Sequence, residues 1–417
     1  MKNTDTRSFD LTQRTIFGLL SQTLFGAAYT PEPDVDWTRV YRESENQAVR
    51  LQTFANHHLI PGIPDELREN IRRYMTAAML RNARIHGAHT SLHRLLSENH
   101  VPYSILKGTA SASYYANPLT RAMGDVDFYV DPADRPRVTE LLRENGYTVQ
   151  DYDGADPHAF HLAVKKDRIH MELHYQFPGV PDLPVAETLL ELLSDMREKA
   201  VLMQNGLTTC MHPCAFHHGL IMLMHLQQHL LREGIGLRHL CDWAVFVHHF
   251  TEDEFTRIFK SKLSSVGLWR LARLLSLSAV LYIGLPEQGW MREAPEDTAI
   301  AEQLMEDIVA GGNFGRKDRQ RAFEAKFIGQ QGKKSTAKSR LAKAISSVNE
   351  GSRVRWPIMK KCPLLLPFGW LYSVFRYLVH NGQRRKKGKQ IRILHAYRKS
   401  EARNSLYGQL HIYDPES

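Results

Sequence analysis

Apolar positions recur at helical spacing through most of the first hundred residues. Leu19, Leu24 and Phe25 begin the pattern, and Pro61 to Asp65 breaks it as a turn. From Glu66 to about Leu96 it runs on with few breakers, which predicts a long helix. The character then changes. Tyr103–Leu106 is a short apolar run ending at Gly108, and Asp127–Val130 is another, closed by Asp131-Pro132. Arg135–Asn145 predicts a helix, and Gly146-Tyr147 restarts an extended segment. Phe160–Val164 and Ile169–Phe177 predict strands joined by a turn at Lys165–Arg168. Helical patterns return after Pro184, over Ala186–Asn205, His217–Arg232, Leu240–His249, Glu252–Leu263 and Leu268–Leu281. The expectation is an α+β fold with a small mixed-sheet core embedded between helical regions. Its expected parts are a helical region at 1–100, the core at 101–183 and a histidine-rich helical domain at 184–310. A basic C-terminal region with an aromatic and apolar segment fills 311–417.

Composition sharpens this outline. With 43% hydrophobic and 24% charged residues among 417, the chain has ample material for a core and is not a disordered tail protein. The net charge of +9 is unevenly spread: residues 311–417 hold 24 basic and 6 acidic residues, so the first 310 are net acidic. That argues against a uniformly basic nucleic-acid binder. Cys210, Cys214, Cys241 and Cys362 are too few and scattered for a disulfide scaffold. The Cys210/Cys214 spacing reads as reduced cysteines near a helix start, with a metal pair as the other reading. The polar N-terminal stretch lacks an apolar signal region, and the longest uncharged run, Cys362–Phe375, is too short to span a bilayer. The expected location is the cytoplasm, with peripheral contact at the inner face of the membrane as an option.

The strongest chemical signal is Gly124-Asp125-Val126-Asp127-Phe128-Tyr129-Val130. Residues two apart on a strand share a face, so Asp125 and Asp127 point together. A shared cation, usually Mg²⁺, explains two carboxylates held that close; two solvated aspartates after a glycine turn is the plainer reading. The alternation of Ile169–Tyr175 places His170, Glu172 and His174 on one face. Glu172 on a neighbouring strand would complete a two-metal triad. His170 and His174 stand as metal ligands, substrate contacts or polar-face residues. Upstream, Leu106-Lys107-Gly108-Thr109-Ala110 ends a strand and starts a helix, where amides can hold phosphate oxygens, with Lys107 or Thr109 adding contacts. Arg121 can neutralise a phosphate or pair with the aspartates.

Together, Leu106-Lys107-Gly108, Arg121 with Gly124–Val130, and Glu172-Leu173-His174 resemble the uncharacterised nucleotidyltransferase family of the polymerase-β-like superfamily. The resemblance covers roughly residues 15–280. It implies Lys107, Gly108 and Thr109 as the nucleotide-binding turn, Asp125 and Asp127 as metal ligands, and Glu172 as the third carboxylate. The usual turn is Gly-Ser or Gly-Gly; Gly-Thr after a lysine leaves its handling of phosphate open. Members of this branch also carry histidines and an Arg-x-x-x-Asp on a helical segment, here His218, His225, Arg238 and Asp242. These are candidates for an acceptor pocket.

Twelve of the 21 histidines lie between His158 and His249. His225 and His229 are four apart, but the segment lacks the glutamate of an HExxH hydrolase. A structural zinc site using His217 or His218 with His225, a wall of the acceptor pocket, and plain packing all remain readings. Arg238 and Asp242 are one turn apart and suited to pair with each other. The basic run Arg384–Lys389 follows an aromatic stretch containing Trp370 and Tyr372, with Trp356 upstream. It fits an anionic membrane surface, a nucleic-acid backbone or a solvated tail.

The expected activity is Mg²⁺-dependent transfer of a nucleoside monophosphate from an NTP, ATP first, to a hydroxyl-bearing acceptor. Two Mg²⁺ ions, or Mn²⁺ in their place, would sit on Asp125, Asp127 and Glu172. The alternatives are a metal-dependent glycosyltransferase using its DxD, and a non-catalytic membrane- or nucleic-acid-associated scaffold.

Overall fold

The computed structural model describes residues 9–150, 161–318 and 320–324, separate stretches between 345 and 375, and 393–415. The basic runs at Gln330–Arg340 and Arg384–Lys389 lie outside the described residues, as does Phe160.

The chain begins with α1 (Leu11–Phe25), α2 (Trp37–Asn46) and α3 (Arg50–Thr53). Asp10 and Gln13 cap α1 reciprocally, and Gly26 ends it in the left-handed conformation. The long pattern read from Glu66 is one 34-residue helix, α4 (Asp65–Glu98). Five strands then form the central sheet: β1 (Ser104–Ile105), β2 (Val126–Tyr129), β3 (Thr148–Gln150), β4 (His161–Lys166) and β5 (Ile169–His174). Between them lie α5 (Thr109–Ala112) and α6 (Arg135–Glu144). The sheet order is β1-β2-β5-β4-β3; β2 and β5 are parallel and the other neighbours antiparallel. This is the mixed α+β fold expected, a small mixed sheet flanked by many helices.

One side of the sheet carries Val126, Phe128, Val130, Met171, Leu173, Leu162 and Val164. They pack with Leu92 and Leu96 of α4 and Val138 and Leu142 of α6. Burying one strand face this completely fixes the register, because a one-residue slip would send Phe128 out and Asp127 in.

Downstream the sequence reading needs a correction. The helix expected over Ala186–Asn205 is α7 (Val185–Leu193), followed by a hairpin of β6 (Val201–Gln204) and β7 (Thr209–His212). Asn205-Gly206 is a hairpin turn, not a helix end: Asn205 Oδ1 accepts from the amides of Leu207 and Thr208, and Gly206 takes a positive φ of 77°. β7 packs against α4, where the Thr209 amide donates to Thr90 Oγ1 at 3.0 Å.

The helical body comprises α8 (Ala215–Leu231), α9 (Leu237–His248), α10 (Glu252–Phe255), α11 (Ser261–Ser265), α12 (Trp269–Ile283) and α13 (Asp297–Gly311). Its core includes stacked Phe255 and Trp290, with centroids 4.3 Å apart. Parts of the basic C-terminal region belong to this body. In the helix Ile393–Gln409, Tyr407 donates to the Leu230 carbonyl at 2.7 Å, and Arg403 pairs with Glu324 at 3.2 Å. Among the described residues, no helix is long and apolar enough to cross a membrane.

Candidate active site

Alternation along β2 turns Val126 and Phe128 into the core and Asp127 to the opposite face, with Asp125 at the strand's entry on Asp127's side. The parallel register sets Asp127 against Glu172 of β5, and Tyr129 against His174. Single carboxylate oxygens of Asp125, Asp127 and Glu172 lie within 4.8 Å of one another. Three hard oxygen donors at that separation suit a hard divalent cation better than a soft metal.

Asp127 is buried, and its Oδ1 accepts from Lys107 Nζ at 2.9 Å. The same oxygen lies 3.0 Å from His174 Nε2, which is also 3.2 Å from Glu172 Oε2. Burial alone would raise the Asp127 carboxyl, but the Lys107 ammonium and the His174 imidazole together hold it well below the usual range. Burial, and then the Asp127 charge, push Asp125 up against the pull of Lys107. Burial would depress His174, yet its bonds to Asp127 and Glu172 raise it. His161 sits opposite His174 in the β4–β5 register, with Nε2 3.7 Å from Glu172 Oε1. His161, Glu172 and His174 form a second group with ligand atoms within 4.8 Å. The β4 alternation contained His161, and pairing that strand with β5 would have found it.

The Lys107–Thr109 turn lies beside the aspartates. Gly108 has φ +68° and ψ −106°, a conformation open to glycine, and a Cβ there would stand 3.6 Å from the Asp125 carbonyl. α5 is one short turn, briefer than the sequence suggested. Thr109 turns away from the cleft and meets His89 at 3.4 Å and Cys210 at 3.9 Å. The loop bearing Gly124 is tethered by Asn82 of α4, whose side-chain amide donates to the carbonyls of Leu119 and Arg121, each at 2.8 Å.

Arg121 does not pair with Asp125 or Asp127. Its guanidinium grips Asp242 of α9 through two bonds, Nε at 2.8 Å and Nη2 at 2.7 Å, and Tyr115 donates to the same carboxylate at 2.8 Å. Arg238 is therefore left without that partner, contrary to the expected one-turn pair; its guanidinium donates a long 3.5 Å bond to the Ala122 carbonyl and lies beside the Phe314 ring.

These residues open on one cleft of about 750 Å³, lined by Lys107, Gly108, Arg121, Asp125, Asp127, Glu172, His174, His225, Arg238 and Asp242 among others. Three candidates do not line it. Thr109 is one. His170 is exposed farther along β5, next to Lys165 across the strands. His218 is buried beneath the Lys107–Thr109 turn, stacked on Tyr114 and 3.5 Å from Ser111. The sequence reading missed His239, Asn313 and Phe314, which line the cleft together with His229.

The zinc readings gain no support among the described residues. Cys210 meets Thr109 and Cys214 meets His217, while His217 Nε2 faces the Leu192 carbonyl and Asp195; none of them belongs to a group of three ligands. His225 and His229 bond to each other at 3.0 Å.

Residues 33–284 match the model of a family described as an uncharacterised nucleotidyltransferase, which is more than half of the chain. No curated protein matches the chain.

Proposed function

This chain belongs to the uncharacterised nucleotidyltransferase family, a transferase-type enzyme family, and on that premise we propose that its cleft moves a nucleoside monophosphate from an NTP to a hydroxyl of an acceptor. One observation carries the reading: parallel pairing of β2 with β5 puts Glu172 beside Asp127, so that three carboxylates converge within 4.8 Å at the cleft. Asp125, Asp127 and Glu172 would hold one or two divalent ions. When bound, Mg²⁺ or Mn²⁺ supplies charge neutralisation for the triphosphate and lowers the pKa of an attacking hydroxyl.

The chain's own side chains do the rest. Lys107 and His174 hold the Asp127 carboxyl low and fix its orientation, which favours the charged form a cation needs. Glu172, partly exposed and flanked by His174 and His161, would help to hold an ion and orient the acceptor hydroxyl. The Gly108 turn runs beside Asp125, so a triphosphate held at the carboxylates would lie against it. ATP is the first donor to test, and an NTP donor fits work in the cytoplasm.

The test is isothermal titration of ATP, GTP, CTP and UTP with Mg²⁺ into the wild type, Asp125→Asn and Asp127→Asn. Binding of at least one nucleotide should need the ion and vanish in both variants. Unchanged ion-dependent binding in the two variants overturns the assignment. Incubation of cell extract with α-labelled NTP then separates nucleotidyl transfer, which labels the acceptor, from glycosyl transfer, which does not.

A further inference from the structure

The glycine-rich turn Gly311–Arg316 follows α13, beyond the residues that match the family. Its centre, Phe314, has φ +52° and ψ +43°, between Gly312 and Gly315, both at φ +66°. A left-handed aromatic residue is strained, and such strain persists where the surroundings hold it. Here they do. A Cβ on Gly236 would come within 2.7 Å of the Asn313 amide nitrogen, and one on Gly315 within 2.9 Å of the Glu233 carbonyl. The turn is pressed onto the α8–α9 junction, and Phe314, 40% exposed, stands in the cleft.

The ring has a built surround. His229 and His239 meet it edge-on at 4.6 Å and 5.1 Å, and the Arg238 guanidinium lies 5.5 Å from its centroid. Three buried polar atoms of cleft-lining residues lack a partner among the described residues: Asn313 Oδ1, His239 Nε2 and Arg238 Nε. The Gly236 amide donates to His239 Nδ1 at 3.3 Å, so the neutral imidazole carries its proton on Nε2. The residues beside this aromatic face thus hold two unmet donors and one unmet acceptor.

We propose that Phe314, with Arg238, His239 and Asn313, forms the subsite for the nucleobase of the NTP. This rests on the proposed transfer reading and deepens it. A base brings a flat π-face and a polar edge of mixed donors and acceptors. A triphosphate has no donor for Asn313 Oδ1, and an aliphatic acceptor would leave the face of the Phe314 ring unstacked.

The test uses saturation-transfer NMR of adenosine, guanosine, cytidine and uridine with EDTA present, on the wild type, Asp127→Asn, Phe314→Tyr and Phe314→Gly. Phe314→Gly removes the ring and the strain together, so weaker binding there is not a folding failure. The expected result is binding of at least one nucleoside to the wild type, Asp127→Asn and Phe314→Tyr, and roughly tenfold weaker binding to Phe314→Gly. No nucleoside binding to the wild type, or equal binding to Phe314→Gly, overturns the subsite. Inorganic tripolyphosphate with Mg²⁺ supplies the other arm. It should bind the wild type and Phe314→Gly alike and not Asp127→Asn; failure of that arm alone rejects the carboxylate reading and leaves the subsite standing.

A second inference rests on a separate face. Leu364, Phe368, Leu371 and Phe375 are 85%, 64%, 67% and 64% exposed, and their 4-3-4 spacing makes one helical stripe. The stripe runs along a short turn at Pro363–Leu365 and the helix over residues 366–373. Trp370 and Tyr372 flank it, and Gly369 on the inner side packs closely on Ser352. No charge interrupts residues 362–375, while Lys360 and Lys361 precede them and Arg376 follows. Residues 311–417 as a whole carry a net +18. We infer that this stripe lies on an anionic bilayer surface, its apolar side chains among the acyl chains.

The full chain should co-sediment with phosphatidylcholine vesicles containing a quarter phosphatidylglycerol, with a blue shift of tryptophan emission, and hardly at all with phosphatidylcholine alone. Changing Leu364, Phe368, Leu371 and Phe375 to Ser should weaken binding at least roughly tenfold while the thermal melt stays put, because the exchanged side chains are exposed. Equal vesicle binding by the variant overturns the inference. So does a wild-type dimer that the variant breaks, or RNA binding that the variant abolishes while vesicles are ignored.

Discussion

Four buried histidines neighbour one another: His86 and His89 on α4, His212 on β7 and His218 on α8. Burial, helped by neighbouring cations and imidazoles, lowers His86 and His212 to about 4 and His89 and His218 to about 3. An unfolded histidine titrates near 6.5. Between about pH 6.5 and 4 the unfolded chain therefore binds protons that the folded chain refuses, and stability falls as pH falls. From pH 7 to pH 5 each such histidine costs about 2 kcal/mol, or about 7–8 kcal/mol for the four. His174 works the other way: its raised value contributes stability at low pH that is lost as pH rises through its folded value, so it offsets part of one histidine's loss. Asp127, held low, contributes stability that is lost only below the ordinary carboxylate range, outside this window. Since whole domains are stable by about 5–15 kcal/mol, the enzyme should be close to unfolding at pH 5. Urea melts at pH 7, 6 and 5, followed by tryptophan fluorescence, measure this. His218→Phe, which preserves the stack on Tyr114, should recover about 2 kcal/mol of the loss. Stabilities at pH 7 and pH 5 within about 1 kcal/mol, or an unchanged pH slope in His218→Phe, would refute the reasoning.

Three further outcomes are expected. Asp242→Ala should cost about 3–5 kcal/mol, because it strands the buried Arg121 guanidinium and the Tyr115 hydroxyl. A double-mutant cycle with Arg121→Met should recover much of that in urea melts, and strict additivity would contradict the pairing. Gly108→Ala should cost about 1–2 kcal/mol of thermal stability through its positive φ, since the Cβ meets nothing closer than 3.6 Å; a neutral effect would show that the turn takes another conformation. Lys107→Met removes the ammonium nearest three carboxylates, so calorimetry should find tighter Mn²⁺ binding without nucleotide, and weaker binding would mean that Lys107 organises the site.

Glu172 and the Arg121 pair show how far the sequence reached. That Asp125 and Asp127 share a face, and that His170, Glu172 and His174 share another, followed from the period of two alone, since side-chain alternation is a property of a single strand. The same local logic marked the long α4 helix and the glycine at the turn. It faltered at Asn205-Gly206, where one dipeptide serves a helix end or a hairpin and only pairing partners decide. It also left the outward reach of His170 unread, because a face says nothing of how far along the strand the cleft extends.

What the sequence by itself determined was the chemistry available: a DxD strand, a third carboxylate on a later strand, a glycine turn and a histidine-rich helix. The tertiary structure decided which groups meet. Parallel pairing of β2 with β5 aligned Asp127 with Glu172, and helix docking gave Asp242 to Arg121 across 121 positions instead of to Arg238 one turn away. It also brought Phe314, outside the matched region, into the same cleft. Periodicity comes from the backbone of one element, but a partner is chosen by the packing of several, and that choice is written in no single stretch of chain.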